Sequence, residues 1–328
     1  MNRRTTALGL ASALTALAPT ALAQEAVPTP FSNDYGQTET ARSAGLASAA
    51  RALGNGTSGL FLNPASIALN RVYHVEGLLQ ATPEAGRLTA GAAIVDSIMN
   101  RHGLAGGVAV LGGLLNAGPS DWSTFELRTA LAYPISDKLL LGVAPRYVSI
   151  THAFPAVEGD QNQNDLVSLE IHAFTFDAGV TIRPSDSLHI ALVGQNLASN
   201  RRSLYPTSIG GGVGFATEVF SLEVDGLADF GSYDGVTTRF MGGGEVLVGE
   251  HFPIRLGYKF DQGAKLHKKS AGLHEIAGGL GYIGTEFAIE ASIQRTLSDP
   301  GATTIVVGLA YYVETAGFMK AATEGFEQ

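Results

Sequence analysis

Phe174-Thr175-Phe176-Asp177-Ala178-Gly179-Val180-Thr181-Ile182-Arg183 alternates apolar and polar side chains along its length. A β-strand turns successive side chains to opposite faces, so Phe174, Phe176, Ala178, Val180 and Ile182 share one face. Thr175, Asp177, Thr181 and Arg183 share the other. The pattern recurs outward in both directions. Leu222, Val224, Ala228 and Phe230 oppose Glu223, Asp225 and Asp229. Ile254, Leu256, Tyr258 and Phe260 oppose Arg255 and Lys259. Phe287, Ile289, Ala291 and Ile293 oppose Glu290, Ser292 and Gln294, while Phe125, Leu127, Leu131 and Tyr133 oppose Glu126 and Arg128. Segments of this length and period match tilted membrane-spanning strands.

About fourteen such strands are predicted. The first seven are Val72–Ala81, Arg87–Ser97, Leu104–Leu115, Thr124–Tyr133, Leu139–Thr151, Ile171–Arg183 and Leu188–Asn196. The second seven are Ser208–Thr217, Phe220–Phe230, Thr237–Val248, Pro253–Phe260, His274–Ile283, Phe287–Arg295 and Thr303–Val313. Their connections alternate in length. Pro134–Lys138, Pro184–Ser187, Thr217–Val219, Gly249–Phe252 and Gly284–Glu286 are short, whereas Ala153–Leu169, Leu197–Thr207, Asp261–Ala271 and Thr296–Ala302 are longer. Short turns at one end and long loops at the other belong to an outer-membrane barrel. The expected fold is therefore all-β: a transmembrane antiparallel β-barrel with a lumen too wide for its own side chains to fill.

The start of the chain reads as an export signal: Arg3 and Arg4, an apolar run Ala7–Leu17, and Ala21-Leu22-Ala23 in the A-x-A form of a cleavage site. Cleavage near Ala23 would leave a chain beginning at Gln24, destined for the outer membrane of a diderm bacterium. The apolar run is too short for a membrane anchor, and nothing later offers the roughly 18 apolar residues of a spanning helix. With no cysteine, the exported fold relies on no disulfide. The 41 glycines exceed the usual share of about 7% and lie inside the strands, where they permit bending and leave lumenal space. A mean hydropathy of +0.15 fits strands with only one face in lipid.

The alternation assigns a charged set to the lumen: Glu126, Arg128, Arg146, Asp177, Glu223, Asp225, Asp229, Arg239, Glu245, Arg255, Lys259, Glu275 and Glu290. Both signs are present, which favours pairing that braces the wall over a ring of one sign that selects ions. Pro145 removes a ladder donor within a strand and predicts a bulge or kink.

Residues 24–70 do not read as strand. They are rich in Ala, Gly and Ser, with a short helix expected at Ala41–Ala52, and either hang in the periplasm or, as the small lumenal residues of several strands favour, fold into the lumen as a plug. Gly54–Gly59 matches G-x-G-x-x-G, but neither a preceding strand nor a βαβ unit supports a nucleotide site, so a flexible turn is expected.

These residues resemble a known family. Ala41-Arg42-Ser43-Ala44-Gly45 and Gly59-Leu60-Phe61-Leu62-Asn63-Pro64-Ala65 are similar to the N-terminal hatch of FadL-type and PorV/PorQ-like outer-membrane proteins. Asp177–Ala198 resembles the PorV-like strand, turn and strand ending in Gln195-Asn196-Leu197, and Phe252–Phe260 resembles the family's R-x-G-Y-x-F strand. The resemblance implies a 14-stranded barrel with a lumenal hatch over 24–70, a barrel over 71–313 and a periplasmic tail over 314–328. It implies Phe61, Asn63 and Pro64 as hatch residues that bind or gate. Gly308-Leu309-Ala310-Tyr311-Tyr312 is similar to the terminal-strand signal read by the barrel-assembly machinery, although here the chain continues past it.

No catalytic constellation is evident. His274-Glu275 lacks the second histidine of H-E-x-x-H, and no G-x-S-x-G occurs. A net charge of −9 argues against a nucleic-acid partner. No enzyme, cofactor or metal is expected. His267, Lys268 and Lys269 form a basic knot in a long loop, suited to lipopolysaccharide phosphates or to plain solvation. The expected partners are outer-membrane lipid and hydrophobic small molecules. The resemblance implies passive passage or binding of hydrophobic small molecules; the alternatives are a PorV/PorQ-like non-enzymatic scaffold for exported surface proteins or an envelope complex, and an open porin.

Overall fold

A computed structural model describes residues 38–98, 103–117, 120–155, 166–198, 205–232, 235–262, 272–297 and 301–312. The expected signal peptide, the His267-Lys268-Lys269 knot and the tail over 314–328 lie outside them.

Fourteen strands form a closed, all-antiparallel barrel in sequence order, with the last pairing back onto the first. They are β1 Tyr73–Thr82, β2 Arg87–Asp96, β3 Ala105–Ala117, β4 Ser120–Ser136, β5 Leu139–Pro155, β6 Leu166–Ile182 and β7 Leu188–Gln195. β8 Ser208–Ala216, β9 Phe220–Asp229, β10 Thr237–Val248, β11 Phe252–Asp261, β12 Leu273–Ile283, β13 Phe287–Thr296 and β14 Thr303–Tyr312 complete the wall. Closure leaves no free sheet edge, the condition for spanning a bilayer with strands.

Strand pairing defines two ends. The connections after β5, β7, β9, β11 and β13 lie at one, the loop end. Those after β4, β6, β8, β10 and β12 lie at the other, the turn end, together with the start of β1 and the finish of β14. The connections after β1 and β3 are short although they lie at the loop end. In barrels of this class the longer loops face the cell exterior.

The outward positions make a lipid-facing belt. Leu127, Leu192, Val224, Leu256, Leu280 and Leu309 are among the exposed large apolar residues. Among the described residues, outward charges occur only at strand ends, as at Asp96, Glu170 and Arg295. Aromatic rings collect toward both margins: Tyr133, Phe220, Phe252, Phe287 and Tyr311 near the turn end, and Phe125, Tyr147, Phe240 and Tyr258 toward the loop end. Two such girdles mark membrane–water interfaces.

Three features differ from the sequence expectation. β4, β5 and β6 extend several residues farther toward the loop end than the alternation alone indicates, so the connection after β5 shortens. Cross-strand pairing there continues beyond the strictly alternating stretch. Second, Pro145 makes no bulge. Its pairing with β4 lapses opposite Thr129–Ala130, as a missing N–H requires, but the register is the same on both sides and Pro145 remains opposite Phe176 on β6. The one register shift on this strand pair is at Pro134/Ser136, beside a turn.

Third, the expected helix over Ala41–Ala52 stops after one turn, and a helix replaces the expected flexible turn. α1 spans Ala41–Gly45, capped by the Thr40 side chain accepting from the Ser43 N–H. Ala47 and Ser48 then adopt left-handed φ of 52° and 70°, which ends it. α2 spans Gly56–Leu62, followed by a 3-10 turn Pro64–Ala68 capped by the Asn63 side chain accepting from the Ala65 N–H. Glycines disfavour a helix in isolation. Here every residue of α2 is buried, so tertiary packing outweighs propensity.

Candidate functional site

Residues 38–70 touch inward-facing side chains of β1, β4, β6, β9, β10 and β13. Only an object inside the cylinder can reach strands spread around its whole circumference. The segment is held in place by wall carboxylates. Asp225 Oδ2 accepts from the Ala50 and Arg51 N–H groups at 3.1 and 3.2 Å and from Arg51 Nη1 at 3.1 Å. Glu223 accepts from the N–H groups of Ala52 at 2.5 Å and Leu53 at 3.0 Å. Two carboxylates, two positions apart and so on the same face of β9, thus satisfy four consecutive backbone donors that strand or helix geometry leaves free. Arg51 and Asp225 are each 1% exposed, so either would be costly alone.

A second network lies nearer the turn end. Arg42 of α1 and Arg255 of β11 share Glu245, with Arg255 Nε at 2.5 Å, and Arg255 Nη2 reaches Glu290 at 2.5 Å. Ser292 donates to the Ala41 carbonyl at 2.5 Å, and Gln294 to Glu39 at 2.6 Å. A third network spans β4–β6. Arg128 binds Glu126, Asp177 and the Phe61 carbonyl at 3.1, 3.3 and 2.9 Å. Its guanidinium also lies over the Phe61 ring, 5.4 Å from the centroid. Arg146 reaches Asn196 and Glu126 and covers the Tyr205 ring. Arg239 pairs with Asp229 and Asp261, and Lys259 with Glu275.

Every charged residue assigned to the lumen from alternation therefore lies in one of these inward clusters. Phe61, Asn63 and Pro64 lie together in the inner segment. Asn63, fully buried, donates to the Arg51 carbonyl at 2.7 Å and to Thr181 Oγ1 at 2.8 Å. Glycines of the wall make its seat. A Cβ at Gly142 would come within 2.3 Å of the Pro64–Ala65 backbone, and one at Gly179 within 2.0 Å of Asn63 Oδ1. Gly243 and Gly257 admit Leu46 in the same way. Sequence reasoning quoted Arg42 only within a motif and passed over Arg51, giving neither a role, although these are the two basic residues of the segment and the wall carries more acids than bases. It also missed Trp122 and Tyr205.

The inner segment leaves space at both ends. At the turn end a polar chamber of about 270 Å³ is lined by Arg42, Asn55, His74, Glu76, Glu245 and Arg255. At the loop end a chamber of about 60 Å³ lies among Leu111, Leu115, Trp122, Val148, Ile150 and Tyr205, with Thr38, Arg87, Thr89, Thr124 and Glu126 between them. Trp122 stacks on His152 with ring centroids 3.8 Å apart. Burial, reinforced by the Glu126 carboxylate, pushes the Tyr205 phenol above its usual pKa, so it stays protonated at any physiological pH.

Three solved structures of similar architecture are a monoaromatic hydrocarbon channel (CymD), the toluene transporter TbuX of Ralstonia pickettii and a FadL homologue of Pseudomonas aeruginosa. CymD is 12% identical with a TM-score of 0.64, over 85% of this chain and 98% of that one. TbuX is 13% identical at 0.64, over 84% and 98%. The FadL homologue is 12% identical at 0.63, over 83% and 98%. No family model and no curated protein matches the chain. The fold is that of FadL-type outer-membrane barrels.

Proposed function

We propose that this barrel binds small hydrophobic molecules at its loop end and lets them pass the outer membrane down their own gradient. The observation that carries the reading is the loop-end chamber. Beside the ion pairs of the lumen, Leu111, Leu115, Trp122, Val148 and Ile150 gather on one wall of this chamber, where an apolar ligand is favoured over water. The similar structures described as hydrocarbon and toluene channels support the same ligand class. They give the scaffold alternative no support.

In this reading residues 24–70 are the hatch, with Phe61, Asn63 and Pro64 at its core, and residues 71–313 are the conduit. Residues 1–23 are removed on export and 314–328 face the periplasm. The hatch gates passage in this reading, supported by the packing of α2 and the Pro64–Ala68 turn on β2–β6 and of α1 on β11–β14. The chamber volume is smaller than the ~150 Å³ cavity known to hold benzene, so side chains at its mouth shift as a ligand seats. Trp122 is the only tryptophan, so its fluorescence reports on this chamber. Titrating the purified barrel with toluene should change that emission saturably, and proteoliposomes holding the barrel should take up labelled toluene faster than empty ones. Unchanged emission together with unchanged uptake would overturn the reading.

A further inference from the structure

Three positions in the loop-end chamber form a row across three strands. Thr89 of β2 lies opposite Gly113 of β3, and Gly113 lies opposite Thr124 of β4. All three line the chamber. Lacking a side chain, Gly113 leaves a notch into which the Thr124 hydroxyl leans: a Cβ there would clash with Thr124 Oγ1 at 2.4 Å and lie 3.4 Å from Thr89 Oγ1, so the two hydroxyls approach each other over Gly113. Thr89 is 8% exposed, and the Thr38 side chain, 5% exposed, borders the same chamber from the inner segment. Neither Thr89 nor Thr124 has a side-chain hydrogen bond to another described residue.

A hydroxyl group both donates and accepts. Two of them beside a notch, facing a wall of Leu111, Trp122 and Ile150, make an amphipathic receptor. A bare hydrocarbon seated there would strip water from both hydroxyls and return nothing, whereas a ligand carrying one hydroxyl would replace those bonds. A site with polar groups discriminates against the analogue that leaves them unpaired. Resting on the hydrophobic-ligand reading above, we infer that the chamber's preferred ligands are small hydroxylated hydrophobes, phenols or short aromatic alcohols, with the Thr89–Gly113–Thr124 notch receiving the hydroxyl.

p-Cresol and toluene differ by one hydroxyl and serve as the probes. Trp122 emission of the full-length barrel in detergent is titrated with each. p-Cresol is expected to bind roughly tenfold more tightly, the worth of one net hydrogen bond. In the Thr89→Val/Thr124→Val variant that ratio should fall toward unity. Gly113→Ala places a Cβ 2.4 Å from Thr124 Oγ1, so it displaces that hydroxyl from the notch and should lower the same ratio. Equal or tighter binding of toluene by the wild-type barrel would overturn the inference and leave the hydrophobic-ligand reading standing. A preference for p-cresol that survives both variants would also overturn it, since the hydroxyl would then be recognised elsewhere. Failure of both probes to bind would remove both readings.

Discussion

The two ends of the lumen are lined by the same alternating strands, yet the β3–β5 wall at the loop end is apolar where the turn end is charged, while β9–β12 keep the Arg239–Asp229–Asp261 and Lys259–Glu275 pairs at the loop end. At the turn end and midway, the wall presents Asp225, Glu223, Glu245 and Glu290 to Arg51, Arg42 and the free N–H groups of residues 50–53. At the loop end, β3, β4 and β5 present Leu111, Leu115, Trp122, Val148 and Ile150 instead. The difference follows what each stretch of wall must touch. A segment with unpaired backbone donors needs acceptors, and carboxylates supply several at once. Where the described inner segment leaves space, the β3–β5 wall is apolar and suits a hydrophobic ligand.

The contrast can be broken most severely at Asp225. Asp225→Ala would leave the Arg51 guanidinium buried without its partner and unseat two backbone donors, a loss of about 3–5 kcal/mol. The inner segment should loosen, and planar-bilayer recordings should change from nearly closed to a large steady conductance. Unaltered closure would mean that the other networks suffice to hold it.

A smaller effect, confined to the loop end, should come from Val148→Asn. Placing an amide in the apolar wall costs on the order of 1–3 kcal/mol of apolar ligand binding, so toluene affinity by Trp122 emission should fall about ten- to hundredfold. Bilayer conductance should stay near zero, because no contact of the inner segment is removed. An Asn variant that binds toluene as before would place the ligand outside this chamber.

The smallest effect should appear at the loop-end rim. Glu84 accepts from the Thr303 hydroxyl at 2.7 Å and the Thr303 N–H at 3.0 Å, and Arg295 is 2.8 Å away. These bonds to Thr303 first, and the Arg295 charge last, lower its pKa from 4.5 to about 2. A carboxyl with a depressed folded-state pKa stabilises above its unfolded pKa and loses that contribution as pH falls through the folded one. Wild type should therefore melt slightly above Glu84→Gln at pH 6, by on the order of one degree for an exposed group. The gap should close between pH 4.5 and about 2. A gap that persists at pH 2 would show that the charge of Glu84 is irrelevant to it.

The strands were legible because alternation is a local property. Ile254, Leu256 and Tyr258 read as one face and Arg255 and Lys259 as the other from a few neighbouring residues, and the inward placement of Arg255 follows directly. The candidate site was legible only in part. Asn63 and Pro64 stood out, but their seat did not, since Gly142 and Gly179 look like any strand glycine until the Pro64 turn is laid against them. Trp122 and Tyr205 sit on different elements with nothing in the local pattern to join them. Helix α2 was hidden because its glycines argue against a helix, and only burial on all sides supplies what propensity withholds.

Period-two alternation, the number of strands and the division of their faces between lipid and lumen were determined by the sequence itself, since each depends on residues a few positions apart. The pairing of Arg51 with Asp225, 174 residues away, was decided only by closure of the barrel around its own N-terminal segment, and the meeting of Thr89, Gly113 and Thr124 only by the registers of β2–β3 and β3–β4. Closure brings together side chains from distant strands, and no local pattern encodes which of them will face each other across the lumen.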